Sequence, residues 1–210
     1  MRMSIGFLKE TFINLLKEYI NSSDMVNSYW HEIEKAYTNK DRHYHTMNHL
    51  ENMLSELTEV RSQINDWNTI LFSLFYHDII YNVLKSTNEE QSAELAQKRL
   101  QAIALPAKMI DSCYQQIIAT QKHIFSQDSD TNFFTDADLS ILGKDWFLYE
   151  QYSQRIRKEY SIYSDMVYKP ARKKVLNQFL EMKRIFKTDY FFDKYESKAR
   201  QNLLKEITLL

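Results

Sequence analysis

Residues 66–81 read DWNTILFSLFYHDIIY and form the most apolar stretch of the chain. Apolar and aromatic side chains recur at each turn of a helix through this stretch, which predicts a buried helix near the centre of the fold. Ser73, His77 and Asp78 interrupt the apolar run. The run therefore stays short of the roughly 18 apolar residues that a membrane-spanning helix needs.

The rest of the chain repeats this helical spacing, and turn-forming residues are scarce. Gly and Pro occur only twice each among 210 residues, while hydrophobic residues make up 44%. Sheets joined by tight turns usually need more of both. We therefore expect an all-α fold with one compact helical domain over residues 1–210. Besides 66–81, the predicted helices span about residues 7–19, 25–37, 44–62, 88–102, 106–123, 132–142, 146–163, 171–186 and 192–209.

Charge and cysteine content exclude several classes of protein. Lys and Arg total 27, Asp and Glu total 28, and the net charge is −1, so no stable binding of nucleic acid is expected. The single Cys113 excludes an intramolecular disulfide framework and fits a reducing compartment. The N-terminal residues MRMSIGFLKETFINLLKEYI carry Lys and Glu within the apolar repeat, which predicts an amphipathic helix rather than a signal peptide. We expect a cytoplasmic protein that does not enter a membrane.

Histidines concentrate in one short segment. Three of the six lie within residues 42–49, RHYHTMNH, and a helix through this segment would place His45 and His49 on one face. A further one, His77, precedes Asp78 inside the apolar stretch. A buried carboxylate is costly unless it is compensated, and a metal ion that takes imidazole and carboxylate ligands compensates it. The alternative is a buried His-Asp pair bonded to the backbone or to each other.

An acidic segment further along the chain completes an ordered set of residues. Residues 135–140 read TDADLS and contain Asp136 and Asp138. The chain here resembles the HD-domain superfamily, whose helical members hold metal with a His, then a His-Asp pair, then a distant Asp. The resemblance implies that the metal ligands are His49, His77, Asp78 and Asp138.

The segments around two of these ligands resemble a second group of enzymes. Residues 44–49, YHTMNH, are similar to the tyrosine-histidine-asparagine motif of the cyclic-nucleotide phosphodiesterases, although Thr46 stands where that motif has Asn. Residues 137–140, ADLS, resemble the segment that carries their last Asp ligand. This likeness implies that His45 is a catalytic acid. The alternative role for His45 is a support for the metal ligands.

The most extensive resemblance covers nearly the whole chain. It is to a bacterial group of predicted HD phosphohydrolases of similar length, and five segments carry it in order: 42–49, 77–81, 88–93, 136–139 and 199–203. It implies hydrolysis of a phosphomonoester or phosphodiester, with nucleotides among the candidate substrates. The implied partner is a small phosphorylated substrate, and the implied cofactor is one divalent ion. Mn, Mg, Zn, Fe, Ni and Co all suit a mixed His and Asp set.

Four further residues receive roles from their positions beside these motifs. Glu89 is the preferred water-activating carboxylate and Glu90 the second choice, although glutamates at a helix start also suit the helix dipole. Asn88 stands where many two-metal HD enzymes carry His, which implies a single ion and leaves Asn88 as a substrate contact. Asp136 either caps a helix or approaches the metal.

Basic and aromatic residues near the motifs are candidates for substrate binding. Arg42 adjoins the histidine segment, and its guanidinium would match a phosphate group. His123 would add a nitrogen beside the substrate, or else cap a helix end at the surface. The other basic candidates are Lys122, Arg155, Arg157 and Arg172. Tyr149, Tyr152 and Tyr160 recur at helical spacing, which predicts either a nucleobase platform or packing in the core or in a homodimer.

Other classes of protein share these sequence features. A non-catalytic HD-like module would hold metal or nucleotide without turnover, and a structural helical protein would bury the histidines in its core. Oxygenation at a di-iron centre is disfavoured because the sequence supplies few ligands for a second ion. Metal analysis and phosphate release distinguish these classes.

Overall fold

A computed structural model describes residues 5–210, and every regular element in that range is a helix. The all-α prediction is therefore confirmed. Residues 1–4, which begin the predicted amphipathic stretch and the domain assigned to residues 1–210, lie outside the described residues. The helices are α1 (Ile5–Lys17), α2 (Ser23–Tyr37), α3 (Met47–Glu59), α4 (Trp67–Tyr76), α5 (Asn88–Ala102), α6 (Ala107–Ala119), α7 (Ser129–Leu139), α8 (Trp146–Glu159), α9 (Asp165–Glu181) and α10 (Asp189–Leu209), with short 3-10 segments at Arg61–Gln63 and Ser140–Gly143.

Short polar side chains begin several of these helices. Ser22 accepts a hydrogen bond from a backbone N–H in the first turn of α2, as do Asp66 at α4 and Asp128 at α7. Each bond satisfies an amide that a helix N-terminus leaves without an intrahelical partner. The cap at Ser22 lies in the segment where the sequence predicts one. The cap at Asp128 starts α7 three residues before the predicted position of 132.

The apolar stretch forms α4 and lies at the centre of the fold. Residues 69–76 are all buried, and α4 packs against α1, α3, α5, α6 and α7. The buried apolar side chains form one cluster that extends from Leu8 in α1 to Leu203 in α10. Burial of such a cluster is the dominant favourable term in folding. Among the described helices, none combines the length and the apolar character needed to cross a membrane.

The helix that carries His49 starts later than predicted. The sequence predicts a helix over 44–62, but α3 begins at Met47, so the premise that His45 and His49 share a helix face is wrong. The backbone N–H groups of residues 43–45 donate instead to one carboxylate oxygen of Glu159. A distant side chain thus accepts N–H groups that would lack intrahelical partners even if the helix started at residue 44.

The central helix ends sooner than predicted. The sequence predicts a helix over 66–81, but α4 ends at Tyr76, and His77 and Asp78 follow its last turn. Arg42 donates to the carbonyl oxygens of residues 78 and 79, which would otherwise need partners from a continued helix or from water. The His-Asp pair therefore lies at the end of an apolar helix rather than inside it.

Pro170 and Gly143 also depart from their predicted roles. The sequence predicts Pro170 just before a helix, but the residue lies inside α9, which begins at Asp165. The sequence predicts Gly143 as a left-handed helix cap, but its φ is not positive. A Cβ at residue 143 would lie 2.5 Å from the Cβ of Tyr195. Glycine is therefore needed here for the close approach of the 3-10 segment to α10.

Candidate metal centre

Three helices bring the four predicted metal ligands together. His49 extends from α3, Asp138 from the last turn of α7, and His77 and Asp78 from the end of α4. One ligand atom from each of His49, His77 and Asp138 lies within 4.8 Å of the other two. The Oδ2 atom of Asp78 is 3.1 Å from His77 Nε2 and 3.8 Å from His49 Nε2. The His49, His77 and Asp138 group could hold a metal ion, and Asp78 lies directly beside it.

The ring nitrogens of His49 and His77 face each other in a buried position. Their Nε2 atoms are 3.1 Å apart. His77 Nδ1 lies 2.9 Å from the carbonyl oxygen of Leu74, a contact that places the ring proton on Nδ1 and leaves a lone pair on Nε2. Two nitrogens that bind one ion at about 2.1 Å, at a right angle, are about 3.0 Å apart. The separation therefore fits two ligands of one ion.

Nearby charges shift the pKa values of these groups. Burial would lower the pKa of His77, but the charge of Asp78, its hydrogen bond with His77 and the charge of Asp138 together raise that pKa to about 9. Burial would raise the pKa of Asp78, but His77 and His45 hold it well below its ordinary value. Burial dominates at His49 and lowers its pKa. The carboxylate therefore stays ionised, and positive charge beside it is favoured.

His45 lies beside the His49, His77 and Asp138 group, called the cluster below. The Glu159 carboxylate holds the opposite side of its ring. Its Nδ1 lies 2.7 Å from Glu159 Oε2, and its Nε2 lies 4.0 Å from Asp78 Oδ2. The Glu159 contact places a proton on Nδ1 and leaves Nε2 on the side of the cluster. Burial would lower the pKa of His45, but Asp78 and Glu159 outweigh burial and raise it. Protonated His45 is therefore placed to give a proton to a group bound beside the cluster.

Glu159 is a candidate functional residue that the sequence does not indicate. It is buried, its Oε1 accepts the backbone N–H groups of residues 43–45, and its Oε2 accepts the Tyr81 hydroxyl at 2.8 Å. Burial would raise the pKa of Glu159, but its hydrogen bond with His45 lowers the pKa to about 2. It stands in an ordinary charged segment, residues 155–160, and 114 positions from His45, so no local motif marks it.

Arg42, a predicted phosphate contact, points into the protein. Its guanidinium donates to the carbonyl oxygens of His45, Asp78 and Ile79 at 3.3, 2.7 and 2.9 Å, and only 8% of the residue is exposed. It also lies over the ring of Tyr37, 4.9 Å from the centroid. These contacts favour a structural role, because they fix the backbone on both sides of the cluster.

Asn88 and Glu89 begin α5 beside the cluster. The Asn88 amide exchanges two hydrogen bonds of 3.0 Å with the backbone of Asn82, so it closes the loop that precedes α5. Glu89 is half-buried and lines the same cavity as His45 and Asp78. Burial raises the pKa of Glu89, and the charge of Asp78 adds to the effect. Of the two residues, Glu89 is the one positioned to accept a proton from water.

His123 contacts a predicted ligand instead of capping a helix at the surface. Its side chain is 12% exposed, and its Nε2 lies 2.8 Å from Asp138 Oδ2. The other Asp138 oxygen lies 3.2 Å from His49 Nε2. His123 has a φ of 51°, in the left-handed region that few residues with side chains adopt. An unusual backbone conformation thus places this imidazole against Asp138.

Asp136 neither caps its own helix nor approaches the histidines. It lies within α7, fully buried, and accepts hydrogen bonds from the backbone N–H groups of Lys187 and Thr188 and from the Thr188 hydroxyl. The Lys187 ammonium lies 3.3 Å from Asp136 Oδ1. Asp136 therefore caps the start of α10 from a neighbouring helix.

Two of the remaining basic candidates are occupied by carboxylates. Arg172 Nε lies 2.8 Å from Glu206 Oε1, and Arg157 lies 2.8 Å from Asp165 Oδ1. The other two, Lys122 and Arg155, are exposed. Neither Arg172 nor Arg157 is therefore free to bind a phosphate without breaking an ion pair.

A cavity of about 520 Å³ opens beside the cluster. This volume is within the usual range for sites that bind small molecules. The predicted tyrosine stripe divides here, because Tyr149 is buried in the core whereas Tyr152 and Tyr160 line the cavity. The predicted site residues that line it are His45, Asp78, Asn88, Glu89, His123 and Asp138.

Comparison with known proteins finds no matching family model, no matching curated protein and no matching solved structure.

Proposed function

We propose that this protein hydrolyses a phosphate ester with the help of one divalent metal ion, as its resemblance to the HD-domain superfamily implies. One observation carries the proposal: two buried imidazoles face each other through Nε2 atoms 3.1 Å apart, and two carboxylates border them. A buried arrangement of acceptors like this is costly without a cation. A mixed set of two His and two Asp residues suits a divalent ion and leaves positions for water and phosphate.

His49, His77, Asp78 and Asp138 are the proposed ligands. A bound divalent ion at such a site lowers the pKa of water and neutralises charge on phosphoryl oxygens. His77 is oriented for this role by its Nδ1 contact with Leu74. Hydrogen bonds of this type fix ring orientation in metal-binding histidines.

The chain's own groups account for the proton movements. Water adds to phosphorus, the ester P–O bond breaks, and His45 gives its Nε2 proton to the leaving oxygen. Glu89, in the same cavity, takes a proton from the attacking water. The products are an alcohol and a phosphate carrying one ester group fewer. General acid catalysis of this kind contributes roughly 10²–10⁴-fold to a rate.

Glu159 is a positioning residue in this scheme. Its Oε2 holds His45 Nδ1 at 2.7 Å, and its Oε1 holds the backbone of residues 43–45. The Glu159 contacts thus fix both the orientation and the protonation of the imidazole. A carboxylate behind an imidazole also stabilises its protonated form.

The direct test combines metal analysis with a substrate screen. Purified protein is expected to bind one equivalent of a divalent ion and to release phosphate from phosphomonoesters, or to cleave phosphodiesters, only when loaded. Asp78→Ala is the control, and it should lose metal and turnover together. Metal binding without turnover of any ester would favour a non-catalytic module. Absence of metal binding in the wild-type protein, across the six candidate ions, would favour a structural role for the histidines.

A further inference from the structure

The cavity beside the metal cluster carries a second kind of lining. Besides the ionisable residues, its walls contain three tyrosines: Tyr152 in α8, Tyr160 directly after α8, and Tyr168 in α9. The ring centroids of Tyr160 and Tyr168 are 6.1 Å apart. Val175, two turns beyond Tyr168 on α9, also lines the cavity and is 41% exposed. One space therefore joins the proposed reaction centre to an aromatic wall.

The only arginine among the lining residues is neutralised within the described chain. Arg172 Nε and one terminal nitrogen make bonds of 2.8 and 3.0 Å to the two carboxylate oxygens of Glu206. Its guanidinium lies 5.3 Å from the Tyr152 ring centroid. A second phosphate at this wall would have to compete with a buried bidentate carboxylate. Lys85 also lines the cavity, but it lies in the loop before α5 rather than on α8 or α9. The tyrosine wall itself therefore favours an uncharged group.

One of the tyrosines has an unsatisfied polar atom. The Tyr168 hydroxyl is buried and has no hydrogen-bond partner among the described residues. Leaving a buried hydroxyl unpaired costs free energy. A bound group with a polar edge at this wall would supply the missing partner after a small movement of the side chain.

We propose that the tyrosine wall binds the organic part of the leaving alcohol, and that this part is a nucleoside. This inference rests on the proposed function, because His45 lines the same cavity and the oxygen that it protonates must lie there. The group attached to that oxygen then extends along the remaining lining. A nucleobase is uncharged, offers flat faces for contact with aromatic rings, and has a polar edge.

The test measures binding rather than turnover, and uses defined probes. Uridine and adenosine, UMP and AMP, ribose 5-phosphate and inorganic phosphate are titrated calorimetrically against metal-loaded His45→Ala protein, in which hydrolysis during the titration should be slowed by roughly 10²–10⁴-fold. Stacking of a base on an aromatic side chain corresponds to roughly a 5- to 150-fold gain in affinity. We expect UMP or AMP to bind at least about tenfold more tightly than ribose 5-phosphate, a difference near the lower part of that range.

Two substitutions on α9 form a matched pair. Val175→Trp should fill the cavity and remove the preference for the nucleotide over ribose 5-phosphate. Val167→Trp places the same ring on an exposed position of the same helix that does not line the cavity, and it should retain the preference. Tyr160→Leu removes one ring face and should reduce the preference about tenfold, within the range for one stacked base.

The outcomes separate this inference from the proposed function. Equal binding of nucleotides and ribose 5-phosphate overturns the inference, even if the protein hydrolyses simple phosphate esters. A nucleotide preference that survives Val175→Trp places the base elsewhere and also overturns it. Binding of uridine or adenosine that Val175→Trp abolishes, in a protein that hydrolyses no ester, supports the nucleoside site and refutes the proposed hydrolysis.

Discussion

Two of the aspartates of helix α7 lie two residues apart but have different surroundings. Asp136 accepts hydrogen bonds from the backbone of Lys187 and Thr188, and the Lys187 ammonium lies beside it. Asp138 faces the imidazoles of His49 and His123. The chain compensates the first carboxylate with its own donors and its own cation. Asp138 belongs to the His49, His77 and Asp138 group, in which the Nε2 atoms of the two histidines also face each other.

This difference shows how buried charge can distinguish a structural cluster from a binding site. A buried carboxylate whose lone pairs are filled by fixed donors organises the fold. A carboxylate beside imidazole nitrogens that converge on one point, together with those nitrogens, can instead be compensated by a bound cation. The Asp136 carboxylate finds its donors and its cation within the described chain, whereas the Asp138 cluster fits a ligand from outside it.

The largest expected effect comes from substitution of Asp138, the aspartate that faces the histidines. Asp138→Asn should abolish metal binding and reduce turnover to the level of the metal-free protein, because Asn removes the anionic ligand. The metal-free protein should also lose some thermal stability, because the Asp138 carboxylate interacts with the imidazoles of His49 and His123, 3.2 and 2.8 Å away, which hold its pKa well below the ordinary value. Metal content, phosphate release and thermal unfolding measure the three expectations. Full metal occupancy in this variant would remove Asp138 from the ligand set.

Substitution of His45 tests whether every residue around the His49, His77 and Asp138 group is a metal ligand. His45→Ala should retain the metal and lower kcat by roughly 10²–10⁴-fold, the usual scale for a general acid. The loss should be smaller for esters with good leaving groups, which need little protonation. Kinetics with a series of leaving groups, together with metal analysis, measure both effects. Loss of metal would make His45 a ligand or a support for one, and full activity on a poor leaving group would end its catalytic role.

The matched substitution at Asp136 should affect stability instead of metal binding. Asp136→Asn keeps the side-chain shape but leaves the Lys187 ammonium buried without its anion. Removal of one partner from a buried pair costs about 3–5 kcal/mol of unfolding free energy. Denaturant unfolding measures this loss, and metal analysis should show one equivalent still bound. If Asp136→Asn loses metal while keeping its stability, the proposed structural role of Asp136 is wrong.

The pH dependence of that loss follows from Lys187. Burial lowers the pKa of Lys187, and Asp136 opposes the shift. Without Asp136 the folded-state pKa falls further below the unfolded value, so the folded state binds fewer protons and stability rises with pH. The stability difference between variant and wild type should therefore shrink as pH rises towards about 10, the ordinary lysine pKa.

The helical fold was predictable because it depends on strong local patterns, whereas the His49, His77 and Asp138 group was expected only from motifs that resemble the HD-domain superfamily. Apolar periodicity located α4, and the His-Asp pair at its end marks a carboxylate that burial makes costly. The spacing of His45 and His49 suggested a shared helix, yet their rings lie near each other for a different reason. Glu159 holds the segment that contains His45, and periodicity carries no information about such a distant contact.

The roles of Asp136 and Arg42 depend on tertiary contacts in the same way. Asp-x-Asp in a helix predicts that the two carboxylates point differently, but not which one meets a histidine. Arg42 adjoins the histidine segment in sequence, and the end of α4 takes its donors. The carbonyl oxygens after α4 can be identified as partners of Arg42 only when the position of the helix end is known.

The smallest expected effect comes from substitution of His123. It touches the predicted ligand Asp138 at 2.8 Å, without belonging to the proposed ligand set. Residues that orient a ligand typically change metal affinity by about 10–100-fold when they are removed. His123→Ala should therefore weaken metal binding within that range and leave the stoichiometry at one ion. Metal titration of both proteins measures affinity and count, with His31→Ala, an exposed position, as the control. Two ions in the wild type and one in His123→Ala would show that His123 binds a second metal, and the single-ion mechanism would then be wrong.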